Sequence, residues 1–135
     1  MSSFGIEVYA CDKVFYRGRG VSLTLPMPDG EGTLLPHHED SIIALIPGVM
    51  KLRTEDGQEK IAVISAGMAQ MINNRVKIFV HTAERPEEID VNRARAARER
   101  AREQLRQKQS LAEYHINRVA LARAMSRLSA ASKYK

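Results

Sequence analysis

Residues 87–135 contain no glycine and no proline, whereas all eight glycines and all five prolines fall within residues 1–86. Glycine frees the backbone and proline removes a hydrogen-bond donor, so the two are the strongest breakers of regular helix. The front of the chain therefore predicts turn-rich β structure and the tail predicts helix. Charge changes at the same boundary. Residues 1–86 carry nine Lys and Arg against ten Asp and Glu, a net of −1; residues 87–135 carry twelve against six, a net of +6. The expected fold class is α+β: an N-terminal antiparallel β-sandwich over 1–86, then a C-terminal two-helix hairpin over 87–135.

Within the front part, Phe4, Ile6, Val8 and Ala10 alternate with Gly5, Glu7, Tyr9 and Cys11, the period of a strand with one buried face. Val21, Leu23 and Leu25 repeat the pattern, and further runs fall at 42–46, 49–53, 61–65, 68–72 and 76–81. Turn pairs Asp29-Gly30, Asp56-Gly57 and Asn73-Asn74 separate them, because Gly and Asn tolerate the positive φ of tight hairpins. Many short strands with no helix between them argue for a sandwich or barrel.

Little here points to catalysis. His37-His38-Glu39-Asp40 is the one cluster of metal-ligand types, but neighbours on an extended segment point to opposite faces. It reads as a polar loop or contact surface, with no metal site expected. No nucleophile elbow or phosphate-cradling glycine loop occurs, so the module reads as a scaffold without catalytic residues. The single cysteine, Cys11, excludes an internal disulfide and fits a reducing compartment. Met1 to Gly5 lack a basic region followed by a long apolar stretch, so no secretory leader is expected. The longest apolar run, Ile42 to Pro47, is far short of the ~20 residues of a membrane span.

The tail opens on Glu87, Glu88 and Asp90, acids suited to a helix N-terminus, with Asp90 as N-cap. Ser110-Leu111-Ala112-Glu113 fits a capping box and starts a second helix near Leu111, so the first ends around Gln107-Lys108. So short a link makes the helices antiparallel neighbours. Nothing in Gln107–Ser110 forbids one continuous helix, however, so two states are open: a hairpin about 30 Å long or a rod of about 60 Å. The expected seam is thin. Ala94, Ala97, Ala101 and Leu105 face it from the first helix, and Tyr114, Leu121, Met125 and Leu128 from the second, with Ile116 and Val119 opposite.

The arginines divide into two sets. Arg95, Arg98, Arg102 and Arg106 lie opposite the alanines near Glu99 and Glu103, as a solvated, ion-paired face. Arg93 and Arg100 flank the seam beside Asp90, and Arg123 and Arg127 share one face of the second helix. Guanidinium forks suit phosphate oxygens, so these four form either an anion site or a solvated basic face.

Several motifs carry a resemblance. They are Gly30-Glu31 through Leu34-Leu35-Pro36-His37-His38, Leu45-Ile46-Pro47-Gly48, Ser65-Ala66-Gly67, and Thr82-Ala83-Glu84. To these add Ile89-Asp90-Val91-Asn92-Arg93-Ala94 and Ala122-Arg123-Ala124-Met125-Ser126-Arg127-Leu128. Over essentially its whole length the chain resembles the epsilon subunit of bacterial F-type ATP synthase, notably the ATP-binding, bacillus-like members. The resemblance implies a non-catalytic rotor subunit of the central stalk, peripheral at the cytoplasmic face of the bacterial membrane. Its sandwich would bind the gamma subunit and rest on the polar loops of the c-ring, through Glu31, His37 and His38. Its basic arm, when extended, would rise into the alpha/beta catalytic head and block hydrolysis. ATP would be a regulatory ligand of the folded arm, with magnesium left open. Arg93, Arg100, Arg123 and Arg127 would take the phosphates, Asp90 would orient Arg93, Ile89 and Ala94 would lie by the nucleoside, and Glu84 by the adenine. The chain departs from the family where His37 and Ala66 replace glycines.

Two other readings compete. A basic arm on a β platform also suits a nucleic-acid-binding module, although aromatics are only 5% and Glu99 and Glu103 interrupt the arginines. A membrane-surface arm is disfavoured by the lack of Trp and Phe beyond residue 86.

Overall fold

The computed structural model describes residues 2–107 and 109–134. The chain divides into two compact units, Met1–Glu84 and Arg85–Lys135.

The first unit is built from nine strands: β1 Phe4–Ala10, β2 Lys13–Met27, β3 Gly30–Leu34, β4 Ser41–Leu45, β5 Gly48–Thr54, β6 Glu59–Ile64, β7 Gly67–Ile72, β8 Arg75–Val80 and β9 Ala83–Glu84. They hydrogen-bond in the order β4-β7-β8-β1-β2-β5-β6-β9, with β3 also on β2. The long β2 joins the two layers. Its first half pairs with β1, and its second half takes β3 on one edge and β5 on the other. The crossing point is Gly20, where the register with β5 shifts before Ser22. A Cβ there would lie 2.6 Å from Ile6 Cδ1 and 2.9 Å from the Arg53 carbonyl, so only glycine lets the layers close at this corner. Between the layers Phe4, Ile6, Val8, Leu23, Leu25, Met50, Leu52, Ile64, Met71, Val76 and Ile78 form one buried cluster.

Three features depart from the expected pattern. The first half of β2 and all of β3 were not legible as strands, because Lys13–Gly20 and Gly30–Leu34 mix glycines and charges on mostly open faces. The short β9 also lay outside the predicted runs. And β1 pairs with β8 in parallel, in an otherwise antiparallel set. A period of two reports which face is buried and is silent on strand direction.

The turn chemistry holds. Asn73 and Asn74 both have positive φ, 51° and 60°, as a two-residue hairpin between β7 and β8 requires. The two glycine replacements separate. Ala66 is not among the residues with positive φ, so its methyl is tolerated, while the neighbouring Gly67 is needed because a Cβ would fall 2.0 Å from the Phe79 carbonyl oxygen. His37 does occupy the left-handed region, at φ 67°.

The second unit begins with a 3₁₀ turn over Pro86–Glu88, which places Glu87 and Glu88 just ahead of the Asp90 cap, and continues as α1 Val91–Arg106 and α2 Leu111–Tyr134. The Asp90 carboxylate accepts the Arg93 amide at 3.1 Å and caps α1. Gln107 is extended (φ −90°, ψ 154°), which ends that helix. Ser110 Oγ accepts the Glu113 amide at 3.1 Å and opens α2. Lys108, part of the expected link, lies outside the described residues. The helices pack against each other as a hairpin, and α2 also meets the 3₁₀ turn. Among the described residues no helix is long and apolar enough to cross a membrane.

The seam is more alanine-rich than expected. Ala94 and Ala101 of α1 are buried, and so are Ala124, Ala130 and Ala131 of α2. The heavier stripe is not what α2 buries: Tyr114 and Met125 are 42% and 46% exposed. Leu121 and Leu128 are only half-buried.

Candidate anion-binding site

Side chains four and seven apart on a helix share a face. On α1 this rule aligns Arg93, Ala97, Arg100, Ala101 and Gln104; on α2 it aligns Asn117, Ala120, Arg123, Ala124 and Arg127. These ten residues line one cavity of about 300 Å³ between the two helices. Small alanines open the space, and four guanidinium groups with two amides set its chemistry. No carboxylate is in the lining.

The outer face of α1 behaves differently. There Arg98 and Arg102 reach Glu99 at 3.1 and 3.5 Å, and Arg106 reaches Glu103 at 3.1 Å. Three of the four outer arginines, Arg98, Arg102 and Arg106, have a carboxylate, whereas the side chains of Arg93, Arg100 and Arg123 have no ion pair among the described residues. Cations gathered in one cavity repel, and a bound anion would offset that repulsion.

The other anticipated residues are distributed around this cluster. Ile89 and Ala94 are buried near the start of the unit but do not line the cavity. Asp90 engages the Arg93 backbone as a cap and makes no ion pair with its guanidinium among the described residues. Glu84 closes β9 in the first unit. Gln104 and Asn117 were missed, although Gln104 stands four residues from the anticipated Arg100 and Asn117 seven from Ala124. Asn117 Nδ2 also donates to Gln109 Oε1, at 2.7 Å, in the link between the helices.

In the first unit, Glu31 is exposed on β3, and His37 and His38 lie between β3 and β4. The His37 amide donates to Asn74 Oδ1 at 2.7 Å, and His38 Nδ1 sits 2.8 Å from the Glu39 carbonyl. No group of three or more His, Cys, Asp or Glu side chains among the described residues could hold a metal ion. Cys11 Sγ lies 3.3 Å from His81 Nδ1, a pairing made by the β1–β8 register and invisible in the linear sequence.

Residues 3–86 match the family model for the β-sandwich domain of the ATP synthase delta/epsilon chain, and residues 87–132 match its long α-helix domain. The chain belongs to the ATP synthase epsilon-chain family. Its epsilon-chain relatives include that of Ruminiclostridium cellulolyticum, 39% identical over 98% of both chains. That of Caldanaerobacter subterraneus is 39% identical over 98% of this chain and 96% of its own. A solved relative lies in the Euglena gracilis mitochondrial ATP synthase OSCP/F1/c-ring assembly. It superposes with a TM-score of 0.81 at 26% identity, covering 93% of this chain and 79% of that one. A chain in the central stalk/c-ring structure of the Tetrahymena thermophila enzyme shares the fold at 15% identity, with a TM-score of 0.67. The epsilon chain is thus a non-catalytic rotor subunit associated with the synthase, and the nucleic-acid reading falls away.

Proposed function

We propose that the cavity between α1 and α2 receives the phosphates of ATP, and that ATP thereby keeps the regulatory arm folded. The observation that carries this reading is the cavity lining itself, in which four arginines and two amides meet with no carboxylate among them. Arg93, Arg100, Arg123 and Arg127 would share the phosphate charge. Ile89 and Ala94 would lie by the nucleoside. The cavity sits at the lower end of the ~300–1,000 Å³ range of ligand pockets, which suits a phosphate chain better than a whole nucleotide. Its lining offers magnesium no carboxylate ligand.

The energetics set a condition. A ligand at 100-fold over its dissociation constant adds about 2.7 kcal/mol to the state it binds, while moving a switch from 1:99 to 99:1 takes about 5.5 kcal/mol. ATP therefore governs the arm only if hairpin and extended states lie close in free energy. A seam of alanines, each burying little area, is consistent with that. Released, the arm with its net +6 would reach acidic segments of the alpha/beta head and oppose rotation in the hydrolytic direction. The sandwich would meanwhile hold the gamma subunit and rest on the c-ring through Glu31, His37 and His38, at the cytoplasmic membrane face.

The test is calorimetric titration of ATP into the full chain. A charge-assisted hydrogen bond contributes about 1.5–3 kcal/mol, so Arg100→Ala or Arg123→Ala should weaken binding by about 10- to 100-fold. Arg102→Ala, on the paired outer face, should leave the isotherm unchanged. Equal affinity in all three variants would remove the site.

A further inference from the structure

Two distant segments of the sandwich meet at one half-buried residue, Asn74. Its Oδ1 accepts the His37 amide at 2.7 Å, and its Nδ2 donates to the Ser3 carbonyl at 3.0 Å. Its own carbonyl accepts the Gly5 amide at 3.2 Å. Beside it, the Asn73 amide donates to Asp40 Oδ1 at 3.0 Å. The tip of the β7–β8 hairpin thus grips the segment 37–40 at both ends and ties it to the start of β1.

The hairpin does not itself need this amide. Positive φ at Asn73 and Asn74 is all the turn requires, and glycine supplies it more easily. His37 does need outside support. It sits at φ 67°, a region that a β-carbon disfavours, and its amide has no strand partner there. The hydrogen bond to Asn74 satisfies that amide while the backbone holds the left-handed shape. The Asn74 amide therefore supports a left-handed residue that carries a β-carbon.

We propose that Asn74 is a positioning residue for the His37–His38 contact surface, clamping it in the conformation that meets the polar loops of the ring. This rests on the reading above that His37 and His38 face those loops. The clamp acts through backbone placement, so its loss would loosen segment 37–40 without opening the sandwich core.

Asn74→Gly keeps the turn and removes the amide, while Asn74→Asp keeps an oxygen for His37. Two measurements separate the roles: hydrogen exchange of the His37 amide in the full chain, and ATP-driven proton pumping per ATP hydrolysed by enzyme rebuilt with each variant in inverted vesicles. With Asn74→Gly, His37 exchange should quicken about tenfold, the equivalent of one hydrogen bond, while core amides such as Ile78 keep their protection. Pumping per hydrolysis should fall, and Asn74→Asp should restore both. Unchanged His37 exchange in Asn74→Gly overturns the proposal. So does intact pumping despite fast exchange, when His38→Ala lowers pumping. If His38→Ala also leaves pumping intact, the ring-contact reading fails and the proposal falls with it.

Discussion

The sandwich and the helical arm bury different things. The first encloses Phe4, Ile6, Leu23, Leu25, Met50, Ile64, Met71 and Ile78, all at 2% exposure or less. The second encloses chiefly alanines, with Ile89 the one large aliphatic side chain buried among its described residues. Area removed from water scales with side-chain size, so the sandwich has a deep reserve of stability and the arm a shallow one. One chain supplies a firmly packed block and a loosely packed arm by changing composition at residue 86.

The largest expected effect tests that contrast directly. Ile78→Ala should cost about 2–5 kcal/mol in urea unfolding, the usual range for emptying a core site. Leu105→Ala, at a half-buried seam position, should cost only about 1 kcal/mol. Equal costs would erase the distinction between the two regions.

A middle-sized effect sharpens it within the arm. Ser110→Ala removes the cap of α2 and should cost the hairpin about 1 kcal/mol. With no serine to break the run, the population should move about fivefold toward the continuous helix. Paired labels at the exposed positions Asn92 and Ser129 would report this as a longer mean separation. An unaltered distance distribution would show that the cap does not set the balance.

The smallest effect belongs to the sandwich surface. A hydrogen bond from the Thr54 hydroxyl, above all, holds the Asp56 carboxyl below its ordinary value. A depressed carboxyl stabilises the fold above its unfolded-state value and loses that contribution as pH falls through the folded-state value. Stability should therefore drop slightly more steeply below about pH 4 in the native chain than in Asp56→Asn. Superimposable acid limbs of the two denaturation midpoints would contradict this.

What could be read in advance was local. The Asn73-Asn74 turn and the caps at Asp90 and Ser110 each depend on a few adjacent residues, and each stands where the chemistry puts it. The seam arginines were legible because helical spacing is a fixed rotation. What escaped was non-local or degenerate. The parallel β1–β8 pairing brings Cys11 to His81 across seventy residues. Strand β3 looks like a loop because Gly30 and Gly32 flank its charge. Tyr114 and Met125 look like a core stripe, yet α2 turns Asn117, Ala120 and Ala124 toward the cavity. Hydrophobicity alone could not foresee a seam chosen for a charged interior.

Strand β2 carries a mechanical corollary. Its fifteen residues are hydrogen-bonded in one layer at their beginning and in the other at their end. One layer cannot shear past the other without rupturing that shared beam. For a piece seated in a turning shaft, twist applied to either face must pass through the whole block with little lost to internal give.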